Sequence, residues 1–580
     1  MECSIELIQQ NELLIDQYMD QQVFTISLVD IRNHINVIIS LRNIDNILKR
    51  KDFNIDGNID TLTSIYTHLS KKLNKDIDSS INWDGCDKEY NKKIIKDIKL
   101  LSKYKMLFNI LPIANSSKYN IYKFYKNKNS LEIKYIKNEY FKYECYDILF
   151  TRINLIVNFN NIYNSASDLV LIGDKHFNCN YFYISYEDQV KYYKKFLNKY
   201  IDNYKNLFYL LSDDFLLNVG GFLLDDFKKF FAGMYILNQF SNEMVICFRQ
   251  KYPDLIDNIK AYEEIIKNIY NKCEDYNIFK NFFCDLVDLD KDIFENIIKY
   301  FLLDYDGDQL DLSGDDYIVP FFKLNGKIYF NSIFNTNVIS PRNLIYAMNN
   351  LSNKKLRDNV YDNNSKKLEN NFLNFMKKVF ESYGLEFYEN LEWNFNKYNK
   401  GEIDAIVVCK SSRKILLIQT KTVIAASSYK TLFSLQENMK KAISQLNNFN
   451  KQTETFKNEF LSNLIGENVV DYEIISCLNS DGGLGNALVW EDVFSKELIP
   501  FNTSIMILYF DKYNNLNNFR ENIYNLIDNL NSKTTPKKIK CTMDFSVECN
   551  TVKINHDSTD ASYMNLIAEM KVIYEKLQSI

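Results

Sequence analysis

The sequence predicts a mixed α/β domain in its C-terminal part, preceded by a large, mostly α-helical region with short β-hairpins. Three observations carry this. Glycine and proline are scarce, at 15 and 6 of 580 residues, which favours long helices over a turn-dense all-β chain. The C-terminal part alternates helical stripes of apolar residues with short β-rich runs. Within it, Gly401 to Thr422, GEIDAIVVCKSSRKILLIQTKT, reads as two apolar strands joined by a polar turn at Ser411-Ser412.

Composition sets the outer bounds. The length implies about two to four domains. Hydrophobic residues make up 46% of the chain, enough to bury large cores and to exclude wholesale disorder. The net charge of -5 excludes a generic basic coat for nucleic acid, so any such surface is local. The 11 cysteines include no CxxC pair, so neither a zinc ribbon nor a thioredoxin-type motif is supported. The N-terminus lacks a secretion signal, and no run of about 18 apolar residues marks a membrane span. The expectation is a soluble cytoplasmic protein with reduced cysteines and no membrane partner.

The elements follow in order. Residues 1 to about 111 read as helical. Ile31, Ile35, Ile38 and Leu41 form a stripe beside His34, and His34 and His68 read as packed histidines rather than ligands. A hairpin is expected with strands Ile121–Phe124 and Leu131–Lys134, its aromatic face packed on a helix. Aromatic-rich helices follow from about Tyr186 to Leu303, with breaks at Gly220-Gly221 and Pro253. Asp304, Asp306 and Asp308 lack the glycine and distal glutamate of a calcium loop, so they read as an acidic surface loop. Asn325-Gly326 between apolar runs marks a second hairpin, Tyr317–Leu324 with Lys327–Ile333. Residues 1–350 are thus taken as one region, of one or two subdomains, with 351–364 as a polar linker.

A helix is expected from Ser365 to Tyr383, with Leu368, Phe372, Met376 and Val379 along one side and Glu369 at its edge. Lys354, Lys355, Arg357, Lys366, Lys367, Lys377 and Lys378 bunch here. They either line a groove for phosphates or form a solvated helix face. A strand bearing Glu389 and Glu392 comes next, and then the two strands of the opening paragraph. A long helix, Tyr429–Phe449, carries Leu435, Met439, Ala442 and Leu446 on its apolar stripe. Val469–Cys477 and Ser504–Phe510 read as two further strands. Asp481-Gly482-Gly483-Leu484-Gly485 is a loop, because no GK[ST] follows it. These elements fill a domain at 365–530. Residues 531–580 form a C-terminal extension with Lys533, Lys537, Lys538 and Lys540 and a terminal helix.

The chemistry concentrates in the two central strands. A hairpin centred on Ser411-Ser412 sets Asp404 opposite Gln419, and alternation puts Lys421 on the same face. Burying an acid, an amide and an amine beside a wall of Ile, Val and Leu costs free energy unless something pairs with them. A divalent metal and a phosphate would do so. Other chemistries find no support: the four histidines form no HExxH, and no GxSxG elbow or P-loop occurs.

GEID, a turn and then QTK resemble the core of the PD-(D/E)XK nuclease superfamily. Gln419 stands where Asp or Glu is usual, a QxK variant shared with some Mrr-like restriction endonucleases, and it removes one negative charge. The resemblance spans about Ser365 to Leu530. It implies a restriction-endonuclease-like αβββαβ core around a central mixed sheet, and Mg²⁺ as cofactor, with Mn²⁺ able to substitute. It implies Asp404 as the principal ligand, with the Gln419 amide oxygen, the Thr420 backbone carbonyl and Glu369 completing the site, and Glu389 and Glu392 as fallbacks for Glu369. Lys421 would orient the attacking water and stabilise charge in the transition state. Lys366, Lys367, Lys377, Lys378 and Gln445 would face nucleic acid. The implied function is a metal-dependent endonuclease acting on DNA, in bacterial restriction or anti-phage defence. Its N-terminal region would select substrate, form a homo-oligomer or bind a partner protein. The alternatives are a scaffold that kept the fold and lost the chemistry, and an RNA-directed nuclease.

Overall fold

The computed structural model describes residues 5–21, 121–151, 210–251, 271–304, 320–331, 341–351, 354–421, 429–547 and 550–580, apart from short gaps within those ranges, together with isolated residues elsewhere. His34, His68, Pro253 and Asp308 lie outside the described residues. The chain forms two compact units. One joins residues 1–20, 107–160 and 368–580; the other joins 21–106 and 161–367. The folded division therefore differs from the one read from sequence. Residues 107–160 and the C-terminal extension both belong with the α/β core. Among the described residues, no helix is long and apolar enough to cross a membrane.

The first unit opens with α1 (Ile5–Gln21) and the expected hairpin, β1 (Tyr122–Asn127) and β2 (Ser130–Tyr135). A helix over residues 139–151 follows.

The second unit contains α2 (Asp213–Gly220), α3 (Leu224–Lys251), β3 (Asn271–Asp275), α4 (Tyr276–Val287), α5 (Lys291–Ile298), β4 (Leu302–Asp304), β5 (Phe321–Leu324), β6 (Lys327–Asn331) and α6 (Pro341–Leu351). Helix α2 stops at the expected break, where Gly221 takes the left-handed cap at φ 74. Phe230, Phe283 and Phe294, from three helices, pack with ring centroids 5.2 to 5.8 Å apart. The strands form one sheet in the order β3-β6-β5-β4. Asn325 and Gly326 both have positive φ, 52 and 70, the signature of a type I′ turn. The acidic loop serves this turn. Asp306 accepts from the N–H groups of Asn325 and Gly326 at 2.7 and 2.8 Å, and Asp304 pairs with Lys323 at 2.8 Å.

The α/β core of the first unit begins inside α7 (Lys354–Glu381). The segment read as a linker is helical from Lys354 onward, and the division between units falls at Leu368 within this helix. Its few apolar residues are enough for a helix of good formers such as Lys, Leu and Arg. Strands β7 (Glu386–Asn394), β8 (Lys400–Cys409) and β9 (Lys414–Lys421) follow, then α8 (Tyr429–Asn450), α9 (Glu454–Ile465), β10 (Glu473–Ser480), α10 (Ala487–Ser495), β11 (Ile499–Phe501), α11 (Thr503–Tyr513) and α12 (Phe519–Lys533). The sheet is mixed. Its order is β11-β10-β9-β8-β7, with β7, β8 and β9 antiparallel and β9, β10 and β11 parallel. Phe372, Met376 and Val379 of α7 and Met439, Ala442 and Leu446 of α8 are buried, as their spacing requires.

Ser504–Phe510, expected as a strand, lies within α11. Every residue from Thr503 to Phe510 is buried, and a short run buried on all sides has no periodicity to separate strand from helix. The cap decides: Asn502 accepts from the Ile505 N–H at 2.9 Å. The edge strand is β11 instead.

The C-terminal extension adds β12 (Lys537–Val547), β13 (Asn550–Asp560) and α13 (Ile567–Ser579). Strand β13 pairs parallel with β2, Ile554 opposite Leu131, giving a four-stranded sheet in the order β1-β2-β13-β12.

The glycine-rich loop after β10 is gripped from the 139–151 helix. Asp147 Oδ1 accepts from the N–H groups of Leu484 and Gly485 at 2.6 and 2.9 Å and from Trp490 Nε1 at 3.0 Å. Burial pushes the Asp147 carboxyl up, against the pull of these donors. A Cβ on Gly483 would lie 2.6 Å from Asp147 Oδ2 and 2.7 Å from Thr151 Oγ1. Gly483→Ala is expected to destabilise the protein by about 1–3 kcal/mol, the usual cost of overpacking. A lower urea midpoint checks it; an unchanged midpoint would mean that the loop moves freely.

Candidate active site

Strands β8 and β9 hold the site because their ladder ends early. They pair from Cys409↔Lys414 to Ala405↔Ile418, the register that a turn centred on Ser411-Ser412 requires. One step further, Asp404 stands opposite Gln419, and there side-chain bonds replace the backbone ladder. Asp404 Oδ2 accepts from the Thr420 N–H at 2.8 Å, and Oδ1 accepts from Gln419 Nε2 at 2.6 Å. Strand β9 stays straight because its other edge pairs with β10 through Lys421↔Ser480. On the far side of β8, Asn390 falls between the pairs Glu389↔Ala405 and Leu391↔Ile403. Its φ is 54, a left-handed value that asparagine tolerates. Strand β7 is therefore distorted where it passes Asp404.

Two helices complete the group. Gln445 of α8 accepts from Gln419 Nε2 at 3.1 Å. Lys421 Nζ lies 3.6 Å from Asp404 Oδ2 and 3.8 Å from Glu369 Oε1 of α7. The structure thus brings together Asp404, Gln419, Thr420, Lys421, Glu369 and Gln445. Gln419 and Thr420 are fully buried, whereas Lys421 and Glu369 are half-buried, so the group opens to solvent on the Lys421 side.

The electrostatics follow from burial. Asp404 is 5% exposed, and desolvation pushes its pKa from 3.8 up to about 6, against the pull of Lys421 and the Thr420 N–H; Glu369 and Glu402 push it further up.

The donor chemistry fits a hard divalent cation. Gln419 Oε1 is a buried oxygen without a hydrogen-bond partner, on the amide whose Nε2 donates to the Asp404 carboxylate. Orphaned buried oxygens are costly, and oxygen ligands are what Mg²⁺ takes. Among the described residues, no cluster of three His, Cys, Asp or Glu is arranged to hold a metal ion. A cation here would need the amide and backbone oxygens as well as the two acids.

The remaining candidates sit apart. Glu389 pairs with Lys377 at 3.8 Å, and Glu392 is exposed, so neither fallback joins the group. Lys366 and Lys378 are exposed on α7 and Lys367 is half-buried. Sequence reading passed over Asn390 and the Asp147 clamp. Asn390 carried no signal beyond its being an asparagine in a strand, and Asp147 reads as an ordinary helical acid. No protein-family model, curated protein or solved structure matches this chain.

Proposed function

We propose that the α/β unit is a metal-dependent nuclease of the PD-(D/E)XK type that hydrolyses phosphodiester bonds in DNA. The observation that supports it is the convergence of Asp404, Gln419, Lys421 and Glu369 where the β8–β9 ladder ends. The order of α7, β7 to β9, α8 and β10 is also the αβββαβ order of that fold. Asp404 and Glu369, with the Gln419 amide oxygen and the Thr420 backbone carbonyl, would hold Mg²⁺. When bound, the ion supplies Lewis-acid charge for the scissile phosphate and acidifies a water. Asp404 presents its carboxylate with both oxygens fixed by N–H donors, so it enters the reaction already oriented. The Lys421 ammonium is a compact charge, held between Asp404 and Glu369, that orients the attacking water and offsets the charge gained at phosphorus. Gln445 fixes the Gln419 amide.

One observation favours a second reading. The Gln419 amide and the Thr420 N–H already bond Asp404, and Lys421 lies 3.6 Å from it, so the carboxylate has partners with no ion. A non-catalytic scaffold would look the same.

The test is cleavage of plasmid DNA, linear DNA and RNA with Mg²⁺ or Mn²⁺, with a chelator control. Wild type is expected to cut DNA, to stop when the metal is chelated, and to lose at least about a hundredfold in rate as Lys421→Ala. Cutting of RNA alone would redirect the substrate. Equal background from wild type and Lys421→Ala would remove the nuclease reading and leave the scaffold.

A further inference from the structure

The connection between β7 and β8 lies beyond the end of the sheet that holds Asp404. It reads Asn394-Phe395-Asn396-Lys397-Tyr398-Asn399-Lys400 and contains no acid. Its own bonds close it: the Phe395 N–H donates to the Asn399 carbonyl at 2.9 Å, and the Asn399 N–H donates to Asn396 Oδ1 at 2.9 Å. Phe395 is 42% exposed, yet its ring is held upright. It stands edge-on to Phe456, centroids 5.0 Å apart, and Phe456 packs in turn against Trp393. Lys397 and Lys400 are both exposed, and among the described residues neither joins an ion pair. Glu392 and Glu402 face each other at the base, which confines the positive charge to the tip. Lys400 and Asp404 share one face of β8. Four residues at 3.3 Å each separate them by about 13 Å, about four times the 3.4 Å charge spacing along one strand of a duplex.

We propose that this tip is a nucleic-acid contact, in which Phe395 stacks on an unpaired base and Lys397 and Lys400 take the flanking phosphates. The inference rests on the nuclease reading and names its substrate class: nucleic acid with a single-stranded stretch next to the cut. An exposed ring braced by other rings and flanked by cations is the arrangement that binds single strands. A protein partner fits less well, because lysine is depleted at protein interfaces.

Fluorescence anisotropy with a labelled single strand and the matching duplex, in chelator so that nothing is cut, tests it. Phe395→Ala is expected to weaken single-strand binding about tenfold with an unchanged salt dependence, and Phe395→Trp to retain it. Lys397→Ala with Lys400→Ala is expected to reduce the slope of log K against log salt by about 1.4, at 0.7 per phosphate. Wild type that binds while every tip variant binds equally well would overturn the tip and leave the nuclease reading standing. Wild type that binds no nucleic acid would overturn both. A change of oligomeric state in Phe395→Ala by light scattering, with binding intact, would make the tip a protein contact and overturn the proposal.

Discussion

Asp404→Asn is expected to abolish metal-dependent cleavage, by at least about 10³-fold, and at the same time to make the folded protein more stable at neutral pH. The loss follows from removing the one fully buried charge that can hold the cation. The gain follows from burial. In the folded protein the carboxyl has its pKa near 6 rather than 3.8. Between those values the folded protein holds a proton that the unfolded chain has released. Stability therefore falls as pH rises through that window and stays low above it. A shift of about two units corresponds to at most about 3 kcal/mol at pH 7. Asparagine does not recover all of it, since its single oxygen must serve both Gln419 Nε2 and the Thr420 N–H. Thermal melts at pH 7.5 and pH 3.5 check this. The variant should melt higher at the first pH and about level with wild type at the second, where the wild-type carboxyl is itself protonated. A lower melting temperature at pH 7.5 would mean that the carboxylate, through Lys421, stabilises the fold after all.

Gln419→Glu is expected to act in the opposite sense. A second carboxylate would stand where Gln419 Nε2 now donates to Asp404 Oδ1 at 2.6 Å. Two carboxylates that close cannot both ionise without a cation between them. In chelator the variant should lose about 3–5 kcal/mol, the usual penalty for an uncompensated buried charge. With Mg²⁺ present the same pair becomes a better ligand set. Mg²⁺ should then bind at least tenfold more tightly than to wild type and raise the melting temperature further. Calorimetric titration with Mg²⁺ reads this directly. Equal affinity in the two proteins would place the cation away from Gln419.

The grouping of Asp404, Gln419 and Lys421 was legible in the sequence because it depends on short-range rules. A turn at Ser411-Ser412 and strict alternation are enough to set Asp404 opposite Gln419 and to put Lys421 on their face. Glu369 and Gln445 were reached through helical periodicity and the family resemblance, and both helices bring them to the group. What was not legible depends on distant partners. Thr503–Phe510 is buried all round, so its pattern does not choose between helix and strand, and one asparagine cap settles it. The pairing of β2 with β13 joins residues roughly 420 positions apart, which no local pattern encodes. Asp147 looks like any helical acid until the loop it grips is known. The division into units was missed for the same reason, because the described contacts of residues 121–151 with the core, such as β2 with β13 and Asp147 with the loop after β10, are long-range ones.

That parallel pairing has a consequence for synthesis. Strand β2 leaves the ribosome long before β13 exists. At about 5–20 residues per second, the delay is on the order of 20–80 s. Throughout it β2 has only β1 as a neighbour, and a lone two-stranded hairpin is marginal in water. The second unit, residues 21–106 and 161–367, is completed during that wait, whereas the β1-β2-β13-β12 sheet of the first unit forms only once β13 has been made. A ribosome stalled anywhere before Asn550 would therefore carry a chain whose first unit is still open.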